Sequence, residues 1–310
     1  MRAVIALAAL LATTAPALPQ ARGEPFTVQE TGRGYATLQE AVSAIGEGRG
    51  TIKIAPGRYN DCAVQEAGEV NFVSEVPGKA IFDRAICEGK ATLVLRGRGA
   101  KVDGVVFMRT LVEDGNGAGI RLETGDLHVA NAMFIDGQCG ILSASFPQGR
   151  ITIERSTFAG LGKDPTGNGA HALYIGDYGS LRIVQSRFER GTGGHYVKVR
   201  APRIEILDSS FDDSQGRNTN YAIDISNGAS GRIAGNSFEQ GPNKDNYSTM
   251  IAVAPEGAKH SSAGLTIEDN KAWLSPAFQN RTTFVGNWSR DTVVVRNNDL
   301  ADRIAPIAQR

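Results

Sequence analysis

Arg150-Ile-Thr-Ile-Glu-Arg-Ser-Thr-Phe158 and Arg203-Ile-Glu-Ile-Leu-Asp-Ser-Ser-Phe211 are two copies of one phrase. Apolar and polar residues alternate up to an isoleucine, a small polar residue follows three positions on, and an apolar side chain closes the phrase two residues later. The phrase recurs along the chain, ending at Phe134, Phe158, Phe188, Phe211, Phe238, Ala272 and Leu300. Five residues before each end stand Val129, Ile153, Ile183, Ile206, Ile233, Ile267 and Val295, and two before it Ala132, Ser156, Ser186, Ser209, Asn236, Asn270 and Asn298. Alternation with period two is strand chemistry. Recurrence every few tens of residues means a solenoid, whose units bury their apolar faces only by stacking. The ends are 23 to 34 residues apart, too irregular for a repeat built from two helices of set length and suited to short strands joined by unequal loops. The Ser-to-Asn column is expected to satisfy turn backbone groups through side-chain hydrogen bonds.

On this recurrence the chain resembles the all-β, right-handed, single-stranded parallel β-helix of the pectin-lyase-like superfamily, over roughly residues 28 to 305. The 37 glycines and 7% aromatic content fit many tight turns around a narrow aliphatic core. Thirty-three basic and 33 acidic residues balance, so net charge invites neither nucleic acid nor an anionic membrane, and any attraction for an anion must be local. One continuous repeat argues for one elongated domain, residues 22–310, expected as a monomer.

Residues 1–21 read as a secretory signal: Arg2, an apolar run from Ala3 to Leu11, then small residues, with cleavage near Ala17 or Ala21. The mature protein is therefore expected in the periplasm or outside the cell, and the apolar run is too short for a membrane anchor. In an oxidising compartment Cys62 and Cys87 are candidates to bridge neighbouring coils, leaving Cys139 as a small hydrophobe. Thr37 and Glu40 form a capping box ahead of Leu38, Ala41, Val42 and Ile45, which predicts a helix over about 37–46 closing the open end of the solenoid.

The short strands that follow the variable loops align as His171-Ala-Leu-Tyr-Ile175, His195-Tyr-Val-Lys-Val199, Tyr221-Ala-Ile-Asp-Ile225 and Thr249-Met-Ile-Ala-Val253. Alternation places Tyr174, Lys198, Asp224 and Ala252 in one outward column, and Gly176, Arg200, Ser226 and Ala254 in the next. Parallel neighbours lie about 4.8 Å apart, so three consecutive coils present a phenol, an ammonium, a guanidinium and a carboxylate together. His171, His195 and Tyr221 stack at the preceding corner, and Tyr196 is expected on the outward side beside Lys198. The candidate catalytic set is Lys198, Arg200, His195, Tyr174, His171 and Asp224, with Tyr196, Tyr221, Ser226, Gln240 and Asn243 as candidate substrate-binding residues. Glu256 reads as a turn residue. The loops Ala159–Ala170 and Asp212–Asn220 are expected to wall a groove.

A groove along a parallel sheet suits an extended polymer, and the resemblance implies an acidic polysaccharide as substrate, handled by a lyase, hydrolase or epimerase. The residues favour β-elimination from a uronate, which needs a cation on the carboxylate, a base for the adjacent proton and an acid for the leaving oxygen. Arg200 fits the first role. Lys198 fits the base if Arg200 depresses its pKa, although Asp224 acts the other way. His195, His171 or Tyr174 would supply the proton. Epimerisation uses the same groups. Hydrolysis needs two carboxylates, and this column offers only Asp224. A non-catalytic glycan-binding β-helix is the reading from another class. No metal-ligand pattern is present and no cofactor is expected, since Asp224 alone is a poor calcium site.

Overall fold

The computed structural model describes residues 23–162, 166–167 and 169–310, and in it the chain winds as a right-handed parallel β-helix of about nine turns. The signal segment expected over residues 1–21 lies outside the described residues. Each coil gives one strand to each of three sheets, of twelve, ten and ten strands. The seventh full coil shows the pattern: Arg203–Leu207 in the first sheet, Ser210–Asp212 in the second and Ile223–Ile225 in the third. No helix among the described residues is long and apolar enough to cross a membrane.

Register follows from the phrase. Phe134, Phe158, Phe188, Phe211 and Phe238 pair directly across successive strands of the second sheet. Their rings stack 4.7–4.9 Å apart and are fully buried. Ile153, Ile183, Ile206 and Ile233 form the facing column from the first sheet. A one-residue slip in any strand would turn its apolar set out of this interior, so the register is firmly specified.

Between the first and second sheets the chain turns through one residue in the left-handed region. Asn131, Arg155, Gln185, Asp208, Asp269 and Asn297 have φ between 45° and 56°, with Gly104 and Gly235 at equivalent corners. The next residue points inward and forms a hydrogen-bonded ladder. The backbone N–H groups of Ser156, Ser186, Ser209, Asn236 and Asn270 donate to Ser186 Oγ, Ser209 Oγ, Asn236 Oδ1, Asn270 Oδ1 and Asn298 Oδ1, at 2.9–3.2 Å. Asn236 and Asn270 also donate Nδ2 to the carbonyls of Ile206 and Ile233. The column read from the sequence thus supplies partners for corner groups that no strand can reach.

The helix Leu38–Ile45 carries the expected capping box, with Thr37 Oγ1 accepting from the Glu40 N–H and Glu40 Oε2 from the Thr37 N–H. It buries Leu38, Ala41 and Val42 over the first coil. Two short strands, Phe26–Val28 and Arg33–Tyr35, pair antiparallel at the N-terminal edge of the first sheet. Cys62 and Cys87 are joined across neighbouring coils, and Cys139 is buried.

The ladder gives a stability test. Asn236→Ala is expected to lower the free energy of urea unfolding by about 2–3 kcal/mol, because two buried backbone groups lose their partners. Arg203→Ala, on the exposed first-sheet face, is expected to change it by less than about 0.5 kcal/mol. Equal effects at the two positions would refute a structural role for the ladder.

Candidate functional site

Tyr174, Lys198, Asp224 and Ala252 pair in register on the outer face of the third sheet. The side chains converge on Lys198. Its Nζ donates to Asp224 Oδ2 at 2.8 Å and also to Glu256 Oε1. The other oxygen of Glu256 accepts from Arg200, and Arg200 donates to the Tyr174 hydroxyl oxygen at 2.7 Å while its guanidinium lies 5.1 Å from the centre of that ring. Ser226 Oγ donates to Asp224 Oδ1 at 3.1 Å. Two cations and two carboxylates therefore close into one neutral network with a phenol at its edge.

The corner before these strands is an aromatic stack. His171 and His195 lie 4.9 Å apart and His195 and Tyr221 5.3 Å apart, with His171 edge-on to Tyr174. Nδ1 of His171 accepts from the His195 N–H at 3.0 Å, and Nδ1 of His195 from the Tyr221 N–H at 3.2 Å. Each ring proton then belongs on Nε2. Nε2 of His195 faces Asp224 Oδ2 at 3.3 Å. Burial, reinforced by Lys198 and Arg200, pulls the His171 pKa down to about 3, and burial beside His171 and Lys198 takes His195 well below its usual value. Both imidazoles are neutral, with the lone pair engaged and only N–H to offer.

Several expectations from the sequence change here. Lys198 is not depressed: burial opposes its charge, but Asp224 and Glu256 more than offset that and hold its pKa above an ordinary lysine. Its side chain is 8% exposed and that of Asp224 3%. Burial pushes the Asp224 carboxyl up despite Lys198. Glu256 goes the other way, its partial burial outweighed by Lys198 and Arg200. Tyr196 does not stand beside Lys198. The position before the strand, occupied by Ala172 and Tyr196, turns into the core, because the chain bends there before strand alternation begins. The Tyr196 hydroxyl donates to Asp213 Oδ1 at 2.8 Å. Ser226 is fully buried, so it serves Asp224 rather than a ligand. Gln240 is buried and donates to the Tyr247 carbonyl, and exposed Asn243 accepts from the Asn218 N–H; neither contact is with the cluster. Tyr221 remains at the site, its hydroxyl accepting from Asn246.

Three features were not legible. Glu256 comes from the turn after Thr249–Val253, where Ala254 adopts φ 57°, and reaches back over two coils. Its loop is fixed by the Glu256 N–H on the Ser226 carbonyl at 3.0 Å and by Lys259 on Asp177. Trp288 folds back over Gly286, where a Cβ would come 2.7 Å from the indole, and its ring lies 6.2 Å from Tyr221. The loop Asp212–Asn220 is tied down by a buried ion pair, Lys244 to Asp213 at 3.1 Å, with Thr219 also donating to Asp213. A cleft of about 730 Å³ opens at the corner leading into these strands, lined by Leu111, Gln138, Gly162, Thr192, Arg217 and Asn218 and not by the cluster itself. No group of three or more His, Cys, Asp or Glu placed to hold a metal occurs among the described residues.

The depressed histidine has a consequence with a fixed sign. In the unfolded chain His171 takes a proton as pH falls through about 6.5, whereas the folded chain refuses it until about 3. Stability is therefore expected to fall between those pH values, and His171→Asn to flatten part of that slope. The ¹⁵N signals of the His171 ring are expected to keep the neutral, Nε2-protonated pattern down to about pH 4. An imidazolium signal at pH 6 would contradict the geometry.

No family model and no curated protein sequence matches this chain. A solved structure of the Streptococcus pneumoniae surface protein and adhesin PfbA is similar over 88% of this chain and 94% of that one, at 12% identity and a TM-score of 0.36.

Proposed function

We propose that the protein is an exported, pectin-lyase-like polysaccharide lyase that cleaves an acidic, uronate-containing polymer by β-elimination on the outer face of the third sheet. The observation that carries this reading is one carboxylate, Glu256, bridged by Lys198 and Arg200 next to the Tyr174 hydroxyl. A sugar carboxylate in the same place would have its charge neutralised, which makes the adjacent C–H acidic. Tyr174 is then the proton carrier, because both histidines lack a free lone pair and Lys198 is held charged. In the elimination the C5–H bond breaks, its electron pair forms the C4=C5 double bond and the C4–O4 bond breaks, while the Tyr174 oxygen takes the C5 proton as its own hydroxyl proton moves to O4. Asp224, fixed by His195 and Ser226, holds Lys198 in position. No metal or cofactor is assigned, and a soluble anionic glycan is the only partner proposed.

One observation favours a second reading. Asp224 and Glu256 both accept from Lys198 Nζ, which keeps their oxygens within about 6 Å of each other. Their pKa values are pushed apart, Asp224 up and Glu256 down. That is the arrangement of an acid and a nucleophile in a retaining glycosidase.

Incubation with a panel of polyuronates separates the two. The lyase reading expects ultraviolet absorbance to rise as the conjugated double bond forms, with Tyr174→Phe lowering kcat about a hundredfold or more and leaving KM within a few-fold. Arg200→Ala is expected to raise KM and lower kcat together. New reducing ends with flat absorbance, abolished by Glu256→Gln, would replace the lyase by the hydrolase.

A further inference from the structure

The pair Lys198 and Arg200 is already occupied. The Glu256 carboxylate spans it with one oxygen on each cation, as a uronate carboxylate would under the lyase reading, on which this inference rests. Both cations have the rest of their contacts inside the cluster: Lys198 on Asp224, Arg200 on Tyr174. A second carboxylate added without removing Glu256 would leave three carboxylates around two cations in a partly buried site, which like-charge repulsion disfavours.

We propose that Glu256 is a resident surrogate for the sugar carboxylate, and that an acidic glycan binds by exchanging its carboxylate for that of Glu256 on Lys198 and Arg200. The structure makes this a side-chain rotation. The loop backbone is anchored independently, by the Glu256 N–H on Ser226, the His260 N–H on the Asn227 carbonyl, and Lys259 on Asp177. The Glu256 side chain itself is 42% exposed, so it has solvent to swing into and regains hydration when released. The exchange also sets ligand class. Only an anion able to place two oxygens across an ammonium and a guanidinium recovers what Glu256 gives up, so neutral glycans gain nothing by displacing it. Glu256 is thus a specificity-determining residue: it keeps a buried lysine and a partly buried arginine compensated in the empty protein and yields them only to a ligand that brings a matching carboxylate.

The test uses trigalacturonate, triglucuronate and the neutral trisaccharide maltotriose with the whole mature protein, by calorimetry. If Glu256 fills the site nine-tenths of the time, its removal from the cations is expected to tighten acidic trisaccharide binding about tenfold. Glu256→Gln tests this, but it also deletes a negative charge. Glu256→Asp keeps the charge and shortens the side chain by one methylene, about 1.5 Å, so it too is expected to tighten binding, whereas simple charge repulsion predicts no change. In the native protein the Glu256 carboxyl ¹³C signal is expected to move on saturation to the position of a solvated glutamate. Acidic trisaccharide bound by the native protein, with both variants equal or weaker and the Glu256 signal unmoved, overturns the exchange and leaves the lyase reading standing. Tighter binding of maltotriose by the variants also overturns it. Failure of native protein and variants alike to bind any acidic trisaccharide removes the lyase reading together with the exchange.

Discussion

In-register pairing of parallel strands is the constraint on which the site depends. It sets Tyr174, Lys198 and Asp224, separated by more than twenty residues along the chain, on adjacent rungs a hydrogen-bonded strand spacing apart. Loop length between rungs varies without disturbing that relation, because register is fixed by the buried phenylalanine and isoleucine columns and by the Ser/Asn ladder. A solenoid therefore separates two tasks: the interior sets position, and the loops are left to shape access.

The outward face then meets a problem of charge. Lys198 and Asp224 are almost fully covered, and a buried ion left alone costs several kcal/mol. The protein satisfies each group more than once: Asp224 by Lys198, His195 and Ser226, Lys198 by Asp224 and Glu256, Arg200 by Glu256 and Tyr174. The backbone N–H groups of His195 and Tyr221 fix which nitrogen of each imidazole carries the proton. Such a network holds side-chain geometry tightly.

What could be read from sequence divides along the same line. The rung columns were legible because alternation and recurrence report the interior directly, so the neighbourhood of Tyr174, Lys198, Arg200 and Asp224 followed from spacing alone. The corner ladder was legible because Ser and Asn recur at one offset. Tyr196 was misplaced because the chain bends just before its third-sheet strand, and alternation does not hold across a bend. Glu256 was missed because it arrives from a turn two coils away along a path set by Ala254 and by the Lys259 contact with Asp177, which no periodicity encodes. The protonation of Lys198 followed Glu256: with one carboxylate the balance was open, and with two it is settled in favour of the ammonium.

The register claim is tested most directly by a double-mutant cycle on Lys198 and Asp224. Unfolding free energies of Lys198→Met, Asp224→Asn and the double variant are expected to give a coupling energy of about 2 kcal/mol, the double variant being more stable than either single change allows by addition. A coupling near zero would mean that the two side chains do not meet, and the arrangement of the site described above would be wrong.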